Sequence, residues 1–288
     1  MIGSAATGGH RPGPSSSLSR RSLLAFAAGC AASALEGCNR VSARGPRDGA
    51  SPPPRSLILP REIRAVAFDA LAVFDAGSVV ARCERAFPGR GEQLAASWRT
   101  RQFDYTWIRA VARQSYVDFW HITEDALVYA AKALSLDLSP SIRDDLMSTW
   151  LSLEPWPDSV RALQSMKSAG LRLAILSNFT PEMQRECVHR SGLDGVFEHH
   201  LSTDAARAYK PDPGAYQLAV SAMGLAREEI AFAAFGGWDA AGSKCFGFTT
   251  VWINRQALPV EELGVAPDAI VSTLAEMAAS LRPGTAPA

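Results

Sequence analysis

Cysteine is scarce in this chain, with five in 288 residues at positions 30, 38, 83, 187 and 245. So few thiols exclude a disulfide scaffold, and their spacing offers neither a redox pair nor a zinc-binding set. Long apolar runs are missing too. None reaches the ~18 residues of a membrane span, so no span is expected. Nor is there a surplus of basic charge: 29 Lys and Arg face 29 Asp and Glu, whereas a nucleic-acid-binding domain normally carries a positive excess. No internal repeat is present. The length, by contrast, suffices for one large core with a smaller lobe inserted in it.

The zero net charge is a cancellation. Residues 1–56 hold seven Arg, no Lys, Glu36 and Asp48, a surplus of five positive charges. Residues 57–288 hold 22 basic and 27 acidic groups. The leader is rich in Gly, Ser, Pro and Arg, a composition that cannot build a packed core. Within it, Ser19-Arg20-Arg21-Ser22-Leu23-Leu24 opens a short Ala-rich apolar stretch that ends at Leu35. A positive flank before a short apolar run has the form of a secretory signal. The paired arginines resemble the twin-arginine export signal of folded proteins. Residues 1–57 are therefore expected to be a signal-like leader and linker that send the body to the periplasm. A cytoplasmic location is the alternative.

The body reads as α/β. Residues 63–68, 173–176, 197–201, 230–235, 249–253 and 269–271 are short β-branched or apolar runs, expected as strands. Helical patterns cover 158–169, 180–191, 213–223 and 274–281, and a further helix is expected to begin at residue 240. Alternation at this spacing gives a Rossmann-like, mostly parallel sheet flanked by helices. Residues 90–149 read almost wholly helical, with aromatics spaced for amphipathic packing. The expected organisation is a core of residues 58–76 and 151–288, with a helical cap inserted at 77–150.

Polar groups stand at or just after strand ends in four places: Asp69, Ser177-Asn178, Lys210 and Asp239. In a parallel sheet those ends face one crevice. A single Asp after a strand is commonly just a helix cap, but four convergent sites point to chemistry. Asp69 is the candidate nucleophile, since a carboxylate can displace a leaving group at carbon and form an ester. Lys210 beside it would favour the ionised carboxylate. Asp239 would orient Lys210 or help activate a hydrolytic water. The carboxylate supply is thin for a hard cation, which wants about six oxygens, so no metal or other cofactor is expected.

These residues lie in longer segments: Phe68-Asp69-Ala70, Phe87-Pro88-Gly89-Arg90-Gly91-Glu92, Trp98-Arg99, Tyr105-Thr106-Trp107 and Tyr116-Val117-Asp118-Phe119. They continue with Thr123-Glu124-Asp125-Ala126-Leu127, Leu173-Ala174-Ile175-Leu176-Ser177-Asn178, Tyr209-Lys210-Pro211-Asp212, Trp238-Asp239 and Val251-Trp252-Ile253-Asn254-Arg255. Over about residues 62–284 the chain resembles the haloacid dehalogenase superfamily, and within it the type II L-2-haloacid dehalogenases. The resemblance implies conversion of short (S)-2-haloacids and water to (R)-2-hydroxyacids and halide, through an aspartyl ester on Asp69. It also implies that Arg99 draws off the halide, that Ser177 binds the substrate carboxylate, and that Tyr216 is an active-site tyrosine. The Asn178 amide suits the departing halide. Phe119 and Trp238 would wall a short apolar chain. Related enzymes are commonly homodimers, so a homodimer is a further expectation.

Three departures stand out. The family loop reads Asp-Ala-Tyr-Gly-Thr-Leu-Phe-Asp, whereas Asp69-Ala70-Leu71-Ala72-Val73-Phe74-Asp75 is one residue shorter and lacks the glycine and the threonine hydroxyl. Leu71 also replaces the second Asp of the phosphatase members. Ala234 and Gly236 stand where a serine and an asparagine are expected. Phe179 replaces a glycine, which would add bulk near the substrate carboxylate. Another hydrolase of the superfamily, or an inactive exported carboxylate-binding homologue, remain alternatives.

Overall fold

The computed structural model describes residues 62–281. The leader expected over residues 1–57 lies outside them. In chain order, β1 (Ala65–Phe68) runs into a one-turn helix α1 (Ala70–Val73) and a two-residue strand β2 (Phe74–Asp75). Helices α2 (Gly77–Ala86), α3 (Gly91–Val111), α4 (Phe119–Ala133) and α5 (Pro140–Ser148) follow. Strand β3 (Glu154–Pro155) then returns antiparallel to β2, pairing Phe74 with Pro155 and Asp75 with Glu154. The remaining order is α6 (Ser159–Ser168), β4 (Arg172–Ser177), α7 (Pro181–Arg190), β5 (His199–Ser202), α8 (Pro213–Met223), β6 (Ile230–Ala234), α9 (Gly237–Phe246), β7 (Thr249–Ile253), β8 (Ala269–Val271) and α10 (Leu274–Ser280).

The large sheet has the order β5-β4-β1-β6-β7-β8, and its neighbours pair in parallel. Alternate residues of its central strands feed two different cores, as a sheet covered on both faces requires. Val66, Phe68, Leu173 and Ile175 face one, while Ala65, Ala67, Ala174 and Leu176 face the other. The fold is thus α/β with a helical insert between β2 and β3.

Local chemistry sets the helix boundaries. Thr180 and Asp212 cap helices whose first residue is a proline, Pro181 and Pro213, which has no N–H to leave unpaired. Gly224 closes α8 at φ 61°, the left-handed geometry that glycine adopts without strain. In the insert, Gly91 lets α3 start hard against α2, since a Cβ there would lie 2.1 Å from the Glu84 amide nitrogen.

Two features differ from the sequence expectation. Helix α9 begins at Gly237, three residues earlier than expected, because Gly236 serves as an extended N-cap instead of breaking the helix. Trp238 and Asp239 therefore sit in its first turn. The pairing of β2 with β3 was not anticipated, since two residues leave no readable period.

Candidate active site

The ends of β1, β4 and β6 lie side by side, with Phe68 in register with Ile175 and Ala233. The residue that follows β1 is Asp69. Its backbone caps α1, and its Oδ2 accepts from the Leu71 amide at 3.1 Å. Its Oδ1 accepts from Lys210 Nζ at 2.7 Å. The same ammonium donates to Asp239 Oδ2 at 2.6 Å. The other Asp239 oxygen, Oδ1, accepts from the Tyr216 hydroxyl at 2.6 Å.

Exposure separates the members of this chain. The side chains of Lys210 and Asp239 are each 1% exposed, whereas that of Asp69 is 14% exposed. Asp69 is the carboxylate that a substrate can reach. Burial pulls the Lys210 ammonium down, but Asp239 and Asp69 outweigh it and hold its pKa above the ordinary lysine value. The lysine therefore stays charged against the nucleophile candidate.

Asn178 holds this lysine from the backbone side. Its Oδ1 accepts from the Lys210 amide at 2.9 Å and from Thr203 Oγ1 at 3.3 Å. Ser177, at the end of β4, accepts from the Phe179 amide at 3.2 Å, which leaves its hydroxyl proton to donate elsewhere.

Arg99 comes from α3 in the insert. Burial pushes its guanidinium down to about 10, and the Asp69 carboxylate opposes that shift. Its Nη1 donates to Gln102 Oε1 at 3.1 Å, and Gln102 Nε2 donates in turn to Thr123 Oγ1 at 2.9 Å. The guanidinium also lies 4.5 Å from the centre of the Phe103 ring. Phe103 meets Trp238 edge to face at 5.0 Å, so α3 and α9 together present an aromatic wall beside the arginine. Sequence reasoning missed both Gln102 and Phe103. A buried amide leaves no pattern, and Phe103 was one aromatic among many.

Four residues singled out in the sequence, Tyr216, Phe119, Phe179 and Asp239, are buried. Tyr216 is wholly buried, and its hydroxyl is turned to Asp239 instead of an open cavity. Phe119 is 4% exposed and stacks on Phe179 at 6.0 Å. Phe179 is itself buried between Phe119 and Trp150, so its bulk fills the junction of core and insert. Asp239 has both oxygens engaged, so its reach to a water runs through Lys210. Ala234 is buried at the end of β6, and Gly236 offers no side chain.

The described residues contain no group of three or more His, Cys, Asp or Glu placed to hold a metal ion. What the cluster can do is present the Asp69 carboxylate for attack at carbon, with the Lys210 ammonium bound to one of its oxygens.

Comparison with known proteins agrees with this geometry. A family model described as haloacid dehalogenase-like hydrolase matches residues 63–247. The (S)-2-haloacid dehalogenase of Pseudomonas sp. strain YL is 44% identical over 213 residues, covering 74% of this chain and 91% of that protein. The haloacetate dehalogenase H-2 of Moraxella sp. strain B is 40% identical over 215 residues, covering 74% and 96%. The solved L-2-haloacid dehalogenase of Xanthobacter autotrophicus superposes with a TM-score of 0.72 at 33% identity, covering 77% of this chain and all of that one.

Proposed function

The chain belongs to the haloacid dehalogenase-like hydrolases, and from that premise we propose that it hydrolyses short (S)-2-haloacids to (R)-2-hydroxyacids. One observation carries the reading: the Asp69 carboxylate is the solvent-reachable end of a buried Asp239–Lys210–Asp69 chain.

Asp69 attacks C2 of the substrate in line, and a C–O bond forms as the carbon–halide bond breaks, its electron pair leaving with the halide and C2 inverting. Arg99 stabilises the charge that grows on the halide, a contact strongest in the transition state. The Ser177 hydroxyl is free to donate to the substrate carboxylate. Phe103 and Trp238 line the side taken by a short alkyl group. Water then attacks the carbonyl carbon of the Asp69 ester. The hydroxyacid departs with the original C2–O bond, and a proton is released as the Asp69 carboxylate is restored. Lys210 stays hydrogen-bonded to that carboxylate for the next cycle, and Asp239 with Tyr216 keeps Lys210 in place.

The test is halide release from 2-chloropropionate and chloroacetate, with Asp69→Asn as control. Release from the (S) enantiomer that falls by about 10³-fold or more in the control is expected. Equal release by the two proteins sinks the reading.

Ala234 and Gly236 favour a second reading, since neither offers a polar group to orient the hydrolytic water. A carboxylate-binding protein without turnover would show saturable 2-chloropropionate binding and an unchanged ligand after long incubation.

Two further parts of the reading concern setting. The Ser19-Arg20-Arg21 leader supports export as a folded protein, to be checked by fractionating cells that express the full chain. Pairing of two copies is supported by an apolar row on the insert. Trp107, Ile108 and Val111 are exposed there, Val111 at 85%, and such patches commonly mark contact surfaces. Sedimentation of the protein and of a Val111→Lys variant reads this directly.

A further inference from the structure

The turn that carries Asp69 is only four residues long, Ala70–Val73. A single helical turn does not hold itself together, because nucleation costs more than one hydrogen bond returns. Past Ala70, its carbonyls are the end carbonyls of a helix and have no partner further along it. Nor does the segment contain a glycine to permit a tighter loop. Yet it is fully buried, where an unpaired carbonyl loses its water without gaining a partner.

Each of the four carbonyls has a donor. Ala70 O accepts from the Phe74 amide. Leu71 O accepts from Trp156 Nε1 at 3.0 Å. Ala72 O accepts from Arg255 Nη2 at 3.2 Å. Val73 O accepts from Ser159 Oγ at 2.8 Å and from the Trp156 amide at 3.0 Å. Three of these partners come from segments far from residue 73 in sequence.

The donors are themselves locked together. Arg255 pairs with both oxygens of Asp158, at 2.8 and 3.3 Å, and its guanidinium lies 4.6 Å from the centre of the Trp156 ring. Asp158 Oδ2 also accepts from the Leu274 amide at 2.7 Å, which ties the assembly to α10. Trp156 stacks on Phe235 at 6.5 Å, the residue between Ala234 and Gly236. Two of the three segments that depart from the family pattern thus share one tryptophan.

We infer that Trp156, Ser159 and Arg255 are positioning residues, a brace that holds the Asp69 turn in helical form by occupying its carbonyls. None touches Asp69. They act on the angle at which its carboxylate is presented, and a misplacement of about 1 Å at a reacting atom can cost about 10²-fold in rate. This rests on Asp69 being the nucleophile, as proposed above.

The test uses Trp156→Phe, which keeps the ring but removes its N–H, together with Ser159→Ala and the double variant. Expected for each single variant is a fall in kcat of about tenfold, deeper in the double, with KM held within about twofold. A purely structural role would instead lower thermal stability with kcat intact. A double variant that folds and retains wild-type kcat overturns the inference. Hydrogen exchange of the Leu71, Ala72 and Phe74 amides gives an independent readout. Faster exchange in Trp156→Phe supports the brace even if the wild-type protein releases no halide, the result that defeats the proposed function alone. Unchanged exchange in both single variants defeats the brace.

Discussion

The Tyr216 hydroxyl donates to Oδ1 of Asp239 at 2.6 Å, while the other oxygen of that carboxylate holds the Lys210 ammonium. The tyrosine therefore acts on the nucleophile through two intervening residues, Asp239 and Lys210. Replacing it with Phe strands one buried carboxylate oxygen, at about 1–3 kcal/mol. The expected kinetic result is a lower kcat with an almost unchanged KM for 2-chloropropionate. A rise in KM alone would mean that the phenol touches substrate, against the geometry.

Arg99 sets an alkaline limit. Its guanidinium is pushed down to about 10 by burial, and the charged form is the one that stabilises a departing halide. A base is charged below its pKa and neutral above it, so kcat/KM falls as pH rises through that value. Lys210, held above the ordinary lysine value, titrates later. A pH profile of halide release checks this, and Arg99→Lys should move the limb.

Phe179 is expected to matter for stability before selectivity. It is 2% exposed and packs on Phe119 and Trp150. Truncation to Ala should cost about 3–5 kcal/mol, read by chemical denaturation. Substrate chain-length preference should change little, because the ring fills the junction of core and insert.

Gly242 allows α9 to close on the lysine loop. A Cβ there would lie 2.5 Å from Pro211 Cβ and 2.8 Å from the Tyr216 hydroxyl oxygen. Gly242→Ala must displace one of them, at about 1–3 kcal/mol of overpacking. Both neighbours lead directly to Lys210 or Asp239, so kcat should fall with stability. A variant with lowered melting temperature and intact kcat would show that the loop absorbs the strain.

Much of the fold was legible in the chain. Pro213 at a helix start and glycine at 224 mark both ends of α8, and the β-branched run at 249–253 coincides with β7. Convergence of Asp69, Lys210 and Asp239 followed from the rule that parallel strands place their ends on one crevice. The direction in which a side chain turns from such an end was not legible. Tyr216 and Phe179 are hydrophobic enough to belong to a wall or a core, and only packing decides between them. The brace on α1 was invisible for a different reason. Its acceptors are backbone carbonyls, which every residue has, so nothing at Leu71, Ala72 or Val73 identifies their donors.

The pairing of β2 with β3 gives the helical insert a stalk of two rungs, Phe74 with Pro155 and Asp75 with Glu154. One leg of the stalk leaves the Asp69 turn, and the other runs straight into Trp156, which clasps that turn again. The attachment of the insert and the mounting of the nucleophile are thus one length of chain. A shift of the insert would reach Val73 and Leu71 together, because both carbonyls are held by the residue that follows its second strand.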